Sequence, residues 1–153
     1  MLLRAAFLFQ DLSEATLEAV AGIAAEESHA AGTFLFRADD AATDLYILAE
    51  GRVRLSVIRG GALAHTVSGP GEAMGWSSMA GLEAYTASAE CTAPTTVMRI
   101  PSEPLMRILK GDPASGFQFF RRLSAQIGGR LVESYGATLS MQGHKGTGTG
   151  SYG

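Results

Sequence analysis

The chain has 153 residues, a formal charge of −3 and 46% apolar residues. That is enough for one domain with a buried core, and it excludes a wholly disordered protein. The acidic balance also excludes a nucleic-acid binder that works through bulk positive charge. Charged residues make up only 18%, against about 25% in average domains, so part of the surface is expected to face a partner. Cys91 is the single cysteine, which excludes a disulfide framework or a cysteine-based zinc site and fits a reducing compartment. The apolar start is broken at Arg4, and Phe7-Leu8-Phe9 runs into Gln10-Asp11. This is too short for a signal peptide, and no run approaches a membrane span. A soluble cytoplasmic protein is expected.

Residues 1–27 read as a helical segment. Leu12, Leu17, Val20, Ala21 and Ile23/Ala24 recur at helical spacing over about 12–25, with Ser13 as N-cap and Glu14 and Glu18 early in the helix. From 28 to 100 the period changes. Thr33–Phe36, Asp44–Leu48, Arg52–Ile58 and Thr95–Ile100 are short, β-branched and aromatic, and are separated by glycines or acidic turns. Arg59-Gly60-Gly61-Ala62 predicts a hairpin turn. Residues 101–138 return to helix: a short one from Pro101 to about Lys110-Gly111, then a longer one opened by Asp112-Pro113 and reaching about Tyr135. A glycine-rich tail, 139–153, is expected to be flexible. The order helix, many short strands, helix predicts a mostly β protein, an antiparallel jelly-roll barrel with flanking helices.

Gly32–Arg37, Leu45–Leu48 and Glu50-Gly51-Arg52-Val53 resemble the opening half of a cyclic nucleotide-binding domain. Gly71-Glu72, a short helix and the strand Tyr85–Ala89 resemble that family's phosphate-binding cassette. Arg122–Gln126 with Arg130-Leu131 is similar to the long helix of the bacterial catabolite activator. The resemblance covers about residues 7–137. It implies a ligand pocket built from Gly71, Glu72, Ala73, Met74, Gly75, Trp76, Tyr85 and Thr86, with Ser134 and Tyr135 on the long helix near a purine. In this resemblance Glu72 takes the ribose 2′-hydroxyl, and Thr86 adds a phosphate contact. Glycines and helix N-termini suit such a site because their backbone N–H groups can approach an anion.

One departure changes the expectation. The family's phosphate-pairing arginine falls where this chain has Tyr85, and the thirty-nine residues from Gly60 to Met98 hold no Lys or Arg. A charge-assisted bond to phosphate is worth about 1.5–3 kcal/mol, so its loss weakens a cyclic monophosphate by about one to two orders of magnitude. A cyclic nucleotide or other nucleotide, held weakly, is the ligand class that remains. Plainer roles stand beside these. Glu72 also suits the first turn of a short helix, Trp76 and Tyr85 also suit a collapsed apolar pocket, and Ser134 also suits a solvated helix face. Cys91 reads as a small core residue. His29, His65 and His144 are far apart with no ligand spacing, so no metal site is expected.

On the long helix, Phe117, Phe120, Leu123, Ile127 and Leu131 recur at three or four residues, while Phe119 falls outside this stripe. In the resembled activators the same helix pairs with its twin, so a homodimer is expected. Gly128-Gly129 costs about 2 kcal/mol of helix stability relative to two alanines, which points to a kink or a close approach of another backbone. Past Tyr135 no recognition helix fits, so DNA binding is not expected. No set of nucleophile, base and oxyanion donors suggests an enzyme. Two functional classes stay open: a regulatory module that transmits ligand or partner state through its last helix, and a ligand-free accessory subunit that docks on a larger protein complex.

Overall fold

The computed structural model describes residues 2–57 and 63–141, and for residues 63–64, 134–135 and 137–141 it describes the backbone alone. The expected turn Arg59–Ala62 lies outside the described residues, as does the expected tail beyond Met141. The chain opens with α1 (Leu2–Ala5), a 3-10 turn at Phe7–Phe9 and α2 (Glu14–Ile23). Ser13 caps α2, its Oγ accepting the Thr16 N–H at 3.2 Å. This satisfies one of the amides that a helix start leaves without a partner.

Eight strands follow among the described residues: β1 (Ala25–His29), β2 (Phe34–Phe36), β3 (Asp44–Glu50), β4 (Val53–Val57), β5 (Leu63–Val67), β6 (Ala73–Met74), β7 (Ser88–Cys91) and β8 (Thr95–Pro101). They form two antiparallel four-stranded sheets, ordered β1-β8-β3-β6 and β2-β7-β4-β5. This is the expected jelly roll. Residues 25–27, read from the sequence as helical, belong to β1. The Ala25–His29 stretch has no apolar alternation because β1 is an edge strand. Its Glu27 pairs instead with Arg99 of β8, Oε2 to Nε 2.7 Å.

Strand β3 is buried on both faces, with its side chains alternating between two cores. Leu45 and Ile47 join Phe9, Val20, Ile100, Leu105, Phe119 and Leu123 under the helices. Tyr46 and Leu48 join Phe36, Val53, Met74, Tyr85, Cys91 and Val97 between the sheets. Gly51 makes the turn after β3 at φ +111°, where a Cβ would sit 2.5 Å from Thr95 Oγ1 and 2.6 Å from the Pro94 carbonyl. Only glycine fits such a backbone at that contact.

Helices α3 (Ser102–Gly111) and α4 (Pro113–Met141) complete the chain. Helix α4 runs past the expected end near Tyr135, so residues 139–141 are helical rather than tail. Gly116 lets α4 approach α3 closely, since a Cβ there would lie 2.9 Å from the Leu109 carbonyl. Asp112, between the two helices, gathers the hydroxyls of Ser13, Thr16 and Ser115 on one carboxylate oxygen at 2.6–2.7 Å. Those hydrogen bonds hold its pKa well below the usual carboxylate range, and they tie the start of α2 to the start of α4.

Candidate ligand site and helix interface

The residues expected to form one pocket are divided among three places. Gly71, at φ +90°, donates its N–H to the Leu48 carbonyl at 2.8 Å, and the Glu72 carbonyl accepts from Leu48 N–H at 2.9 Å. These bonds continue the β3 edge. The Glu72 carboxylate turns back and accepts the Gly69 N–H at 2.9 Å. Ala73 and Met74 do not lie on a short helix as expected. They are the strand β6, paired to Ile47 and Tyr46. Both are fully buried, Ala73 in the core under the helices and Met74 in the core between the sheets. The glycine that heads the short 3-10 turn, Trp76–Ser78, is Gly75, in the left-handed region at φ +76°. A Cβ at that position would meet the Asp44 carbonyl at 3.0 Å. Trp76 is half-buried and packs on the cluster beneath the helices, so it does not share a wall with Tyr85.

Tyr85 stands between the two sheets and is 4% exposed. Its ring stacks on Phe36 at 4.0 Å, and Phe36 stacks on Tyr46 at 5.8 Å. Its hydroxyl donates to the Asp44 carbonyl at 2.7 Å and accepts the Asp44 N–H at 3.0 Å. Burial is the main cause raising the phenol pKa, so the group stays protonated and both of its bonds persist. The strand expected from Tyr85 begins only at Ser88, and Thr86 is an exposed bend residue. An aromatic trio therefore occupies the inner face of the barrel beside the 73–78 segment.

The long helix reaches the same segment from outside. The Ala73 carbonyl accepts Nε2 of Gln126 at 3.0 Å and a guanidinium N–H of Arg130. Arg130 also faces Glu72 and Glu133; burial lowers its pKa and the two carboxylates oppose that shift. A cleft of about 480 Å³ opens here between the 70–72 turn, β5 and α4, with Phe7, His65, Glu72, Arg130 and Glu133 in its wall. Across it, His65 Nδ1 lies 3.1 Å from Glu133 Oε2. Arg130 is thus a cation beside the 71–76 segment that a search within that segment misses. The signal for it was in the helix: Phe119, Leu123, Gln126 and Arg130 follow one another at three and four residues.

That spacing also corrects the expected stripe. Phe119 and Leu123 are buried on the chain's own core, with Phe120 and Ile127 packed partly against it. Phe117 and Leu131 turn outward, 64% and 47% exposed, as does Val132 at 61%. The stripe is therefore divided: Leu123 is spent internally, and the outer face carries Phe117, Leu131 and Val132. Cβ atoms at Gly128 and Gly129 would meet nothing within 4 Å, so no backbone among the described residues accounts for the pair. Ser134 and Tyr135 lie on α4, but their side chains are outside the described residues.

The sequence profile of the cyclic nucleotide-binding domain matches residues 26–112, and the chain belongs to that family. Among solved structures it is similar to a putative cyclic nucleotide-binding protein from Geobacter metallireducens, with 29% identity and a TM-score of 0.74 over 84% of this chain and 95% of the other. It is also similar to the catabolite activator protein of Thermus thermophilus, with 25% identity and a TM-score of 0.66 over 88% of this chain and 61% of that one. The regulatory domain of Toxoplasma gondii PKA, solved with cAMP, aligns at 27% identity and a TM-score of 0.64, covering 70% of this chain and 41% of that one. No curated protein matches the chain at a significant level of similarity.

Proposed function

We propose that this chain is a non-catalytic regulatory module with a divergent pocket, which passes the state of its 71–76 segment to a partner through α4. The observation that carries this reading is the grip of Gln126 and Arg130 on the Ala73 carbonyl. A shift of β6 toward or away from the barrel pulls directly on the long helix. Any nucleotide bound near Gly71–Trp76, Tyr85, Thr86, Ser134 and Tyr135 is held weakly. Arg130 stands by, but its charge is shared with Glu72 and Glu133 and one N–H is already spent on Ala73. The outer face of α4, with Phe117, Leu131 and Val132, pairs with a second copy. The module works in the cytoplasm.

A second reading has its own observation. Tyr85 fills space on the inner barrel face and satisfies its hydroxyl within the chain, which favours a ligand-free accessory subunit docked on a larger protein complex. Calorimetry of the purified protein with cAMP, cGMP and NAD(P)H separates the two. Saturable binding in the high-micromolar range that is lost in Arg130→Met supports the regulatory module. No heat with any of the three supports the docking subunit. Sub-micromolar cAMP affinity would overturn the divergent pocket.

A further inference from the structure

We infer that His65 and Glu133 form a proton-operated latch, which with the Arg130 bond to the Ala73 carbonyl fastens the far half of α4 to the barrel and loosens it past Gly128-Gly129 when the proton leaves. The two side chains come from β5 and α4, 3.1 Å apart across an open cleft. Between them and the core, contact thins along the helix: Leu123 is buried, Ile127 is half-buried, and Leu131, Val132 and Glu133 are exposed. The His65–Glu133 pair is the most C-terminal ion pair between α4 and the barrel among the described residues.

The charge balance of the cleft depends on His65. From α4 it meets Glu133 and Arg130, and from the 69–72 turn it meets Glu72, while the N-terminal segment contributes Phe7 and Gln10 to the wall and no charge. With the imidazole protonated, two cations face two carboxylates. With it neutral, Arg130 alone faces both carboxylates: α4 loses its ion pair to β5, and Glu72 leaves the excess negative charge on the barrel side of the cleft. Imidazole is the side chain suited to change charge between pH 5 and 8, so uptake of a proton closes the latch and loss of it loosens the helix. The glycine pair lies one turn before Glu133, in open space, where glycine lowers the cost of bending a helix. The latch does not depend on a nucleotide in the barrel. It gives the module an input even where Tyr85 keeps the inner face closed.

Pulsed electron paramagnetic resonance tests it. Nitroxides are placed at Ser68→Cys and Gly136→Cys in a Cys91→Ala background, and the sample is diluted with unlabelled protein so that distances within one chain are read. Between pH 6 and pH 8 the long-distance population should rise about two- to fivefold, the range expected for an exposed ion pair. In His65→Gln it should be the same at both pH values, and Gly128→Ala should lower it at both. A wild-type distribution that does not change with pH, or a pH response that survives in His65→Gln, overturns the latch. If the labelled variants fail to fold, nuclear magnetic resonance titration of His65 in the unlabelled chain decides. Glu133→Gln must lower the apparent pKa of the imidazole, and an unchanged value overturns the pairing.

Discussion

Replacing Tyr85 with Phe isolates the part of the barrel that departs most from nucleotide binding. The ring and its 4.0 Å stack on Phe36 stay, while the bonds of the hydroxyl to the Asp44 carbonyl and N–H go. A buried polar group left without a partner costs about 1–3 kcal/mol. Asp44 is only partly buried, so water recovers some of that for its backbone, and a net loss of about 1–2 kcal/mol is expected for Tyr85→Phe. At about 2–4 °C per kcal/mol for a domain of this size, Tm should fall by about 2–8 °C. Urea unfolding followed by the fluorescence of Trp76 gives the same quantity independently. Tyr85→Ala should cost more, about 3–5 kcal/mol, because it also leaves a cavity beside Phe36. The contrast extends to binding, since only the alanine variant opens space on the inner face. Its cAMP affinity should exceed that of Tyr85→Phe, which should equal the wild type. If Tyr85→Phe is as stable as the wild type, or if it alone gains cAMP affinity, the hydroxyl and not the ring has been misread.

Leu131→Glu combined with Val132→Glu should leave the fold intact, because both residues are exposed on α4, and should shift sedimentation from dimer to monomer at micromolar concentration. A wild type that is already monomeric there removes the proposed pairing. For Asp112 the sign follows from its lowered pKa. The carboxylate contributes stability above its unfolded pKa near 4, and that contribution fades as pH falls toward the depressed folded value. Asp112→Asn should therefore unfold earlier in denaturant at pH 7, and the gap to the wild type should narrow below pH 4. Gly51→Ala should destabilise by more than about 1 kcal/mol, read by thermal melting, because the added Cβ meets the Pro94 carbonyl in a left-handed turn.

The barrel was legible because its central strand is a short continuous apolar run, Leu45-Tyr46-Ile47-Leu48, which announces a strand buried on both faces. Strand β1 was not legible, since Ala25-Glu26-Glu27-Ser28-His29 owes its place to pairing with β8 and to Arg99, which lies seventy-two residues beyond Glu27. The candidate site suffered in the same way. The resemblance puts Ala73 and Met74 on a short helix that follows Gly71-Glu72. The turn geometry puts the head of the short turn at Gly75, and hydrogen bonds to β3 draw the two residues into a strand. The missing cation could be sought only near Tyr85, whereas Arg130 arrives from a helix that folds back across the sheet. On α4 the spacing supported two overlapping stripes, and hydrophobicity alone could not choose which one faced inward. Burial of Phe119 against Phe9, ring centroids 5.5 Å apart, decides it.

The carboxylate of Asp112 gives α4 the mechanics of a lever arm. Three hydroxyls fix the helix at its first turn, close to Pro113, while the Ala73 carbonyl acts on it thirteen residues later, at Gln126. At 1.5 Å per residue that load point lies about 20 Å from the fulcrum, and the tip at Met141 lies about 42 Å from it. As long as the helix stays straight, a displacement of β6 by a given amount moves the tip by about twice as much. The glycine pair lies between the Gln126 and Arg130 contacts to the Ala73 carbonyl, so bending there reduces the amplification, and the gain of the arm is set by how firmly its outer half is held down.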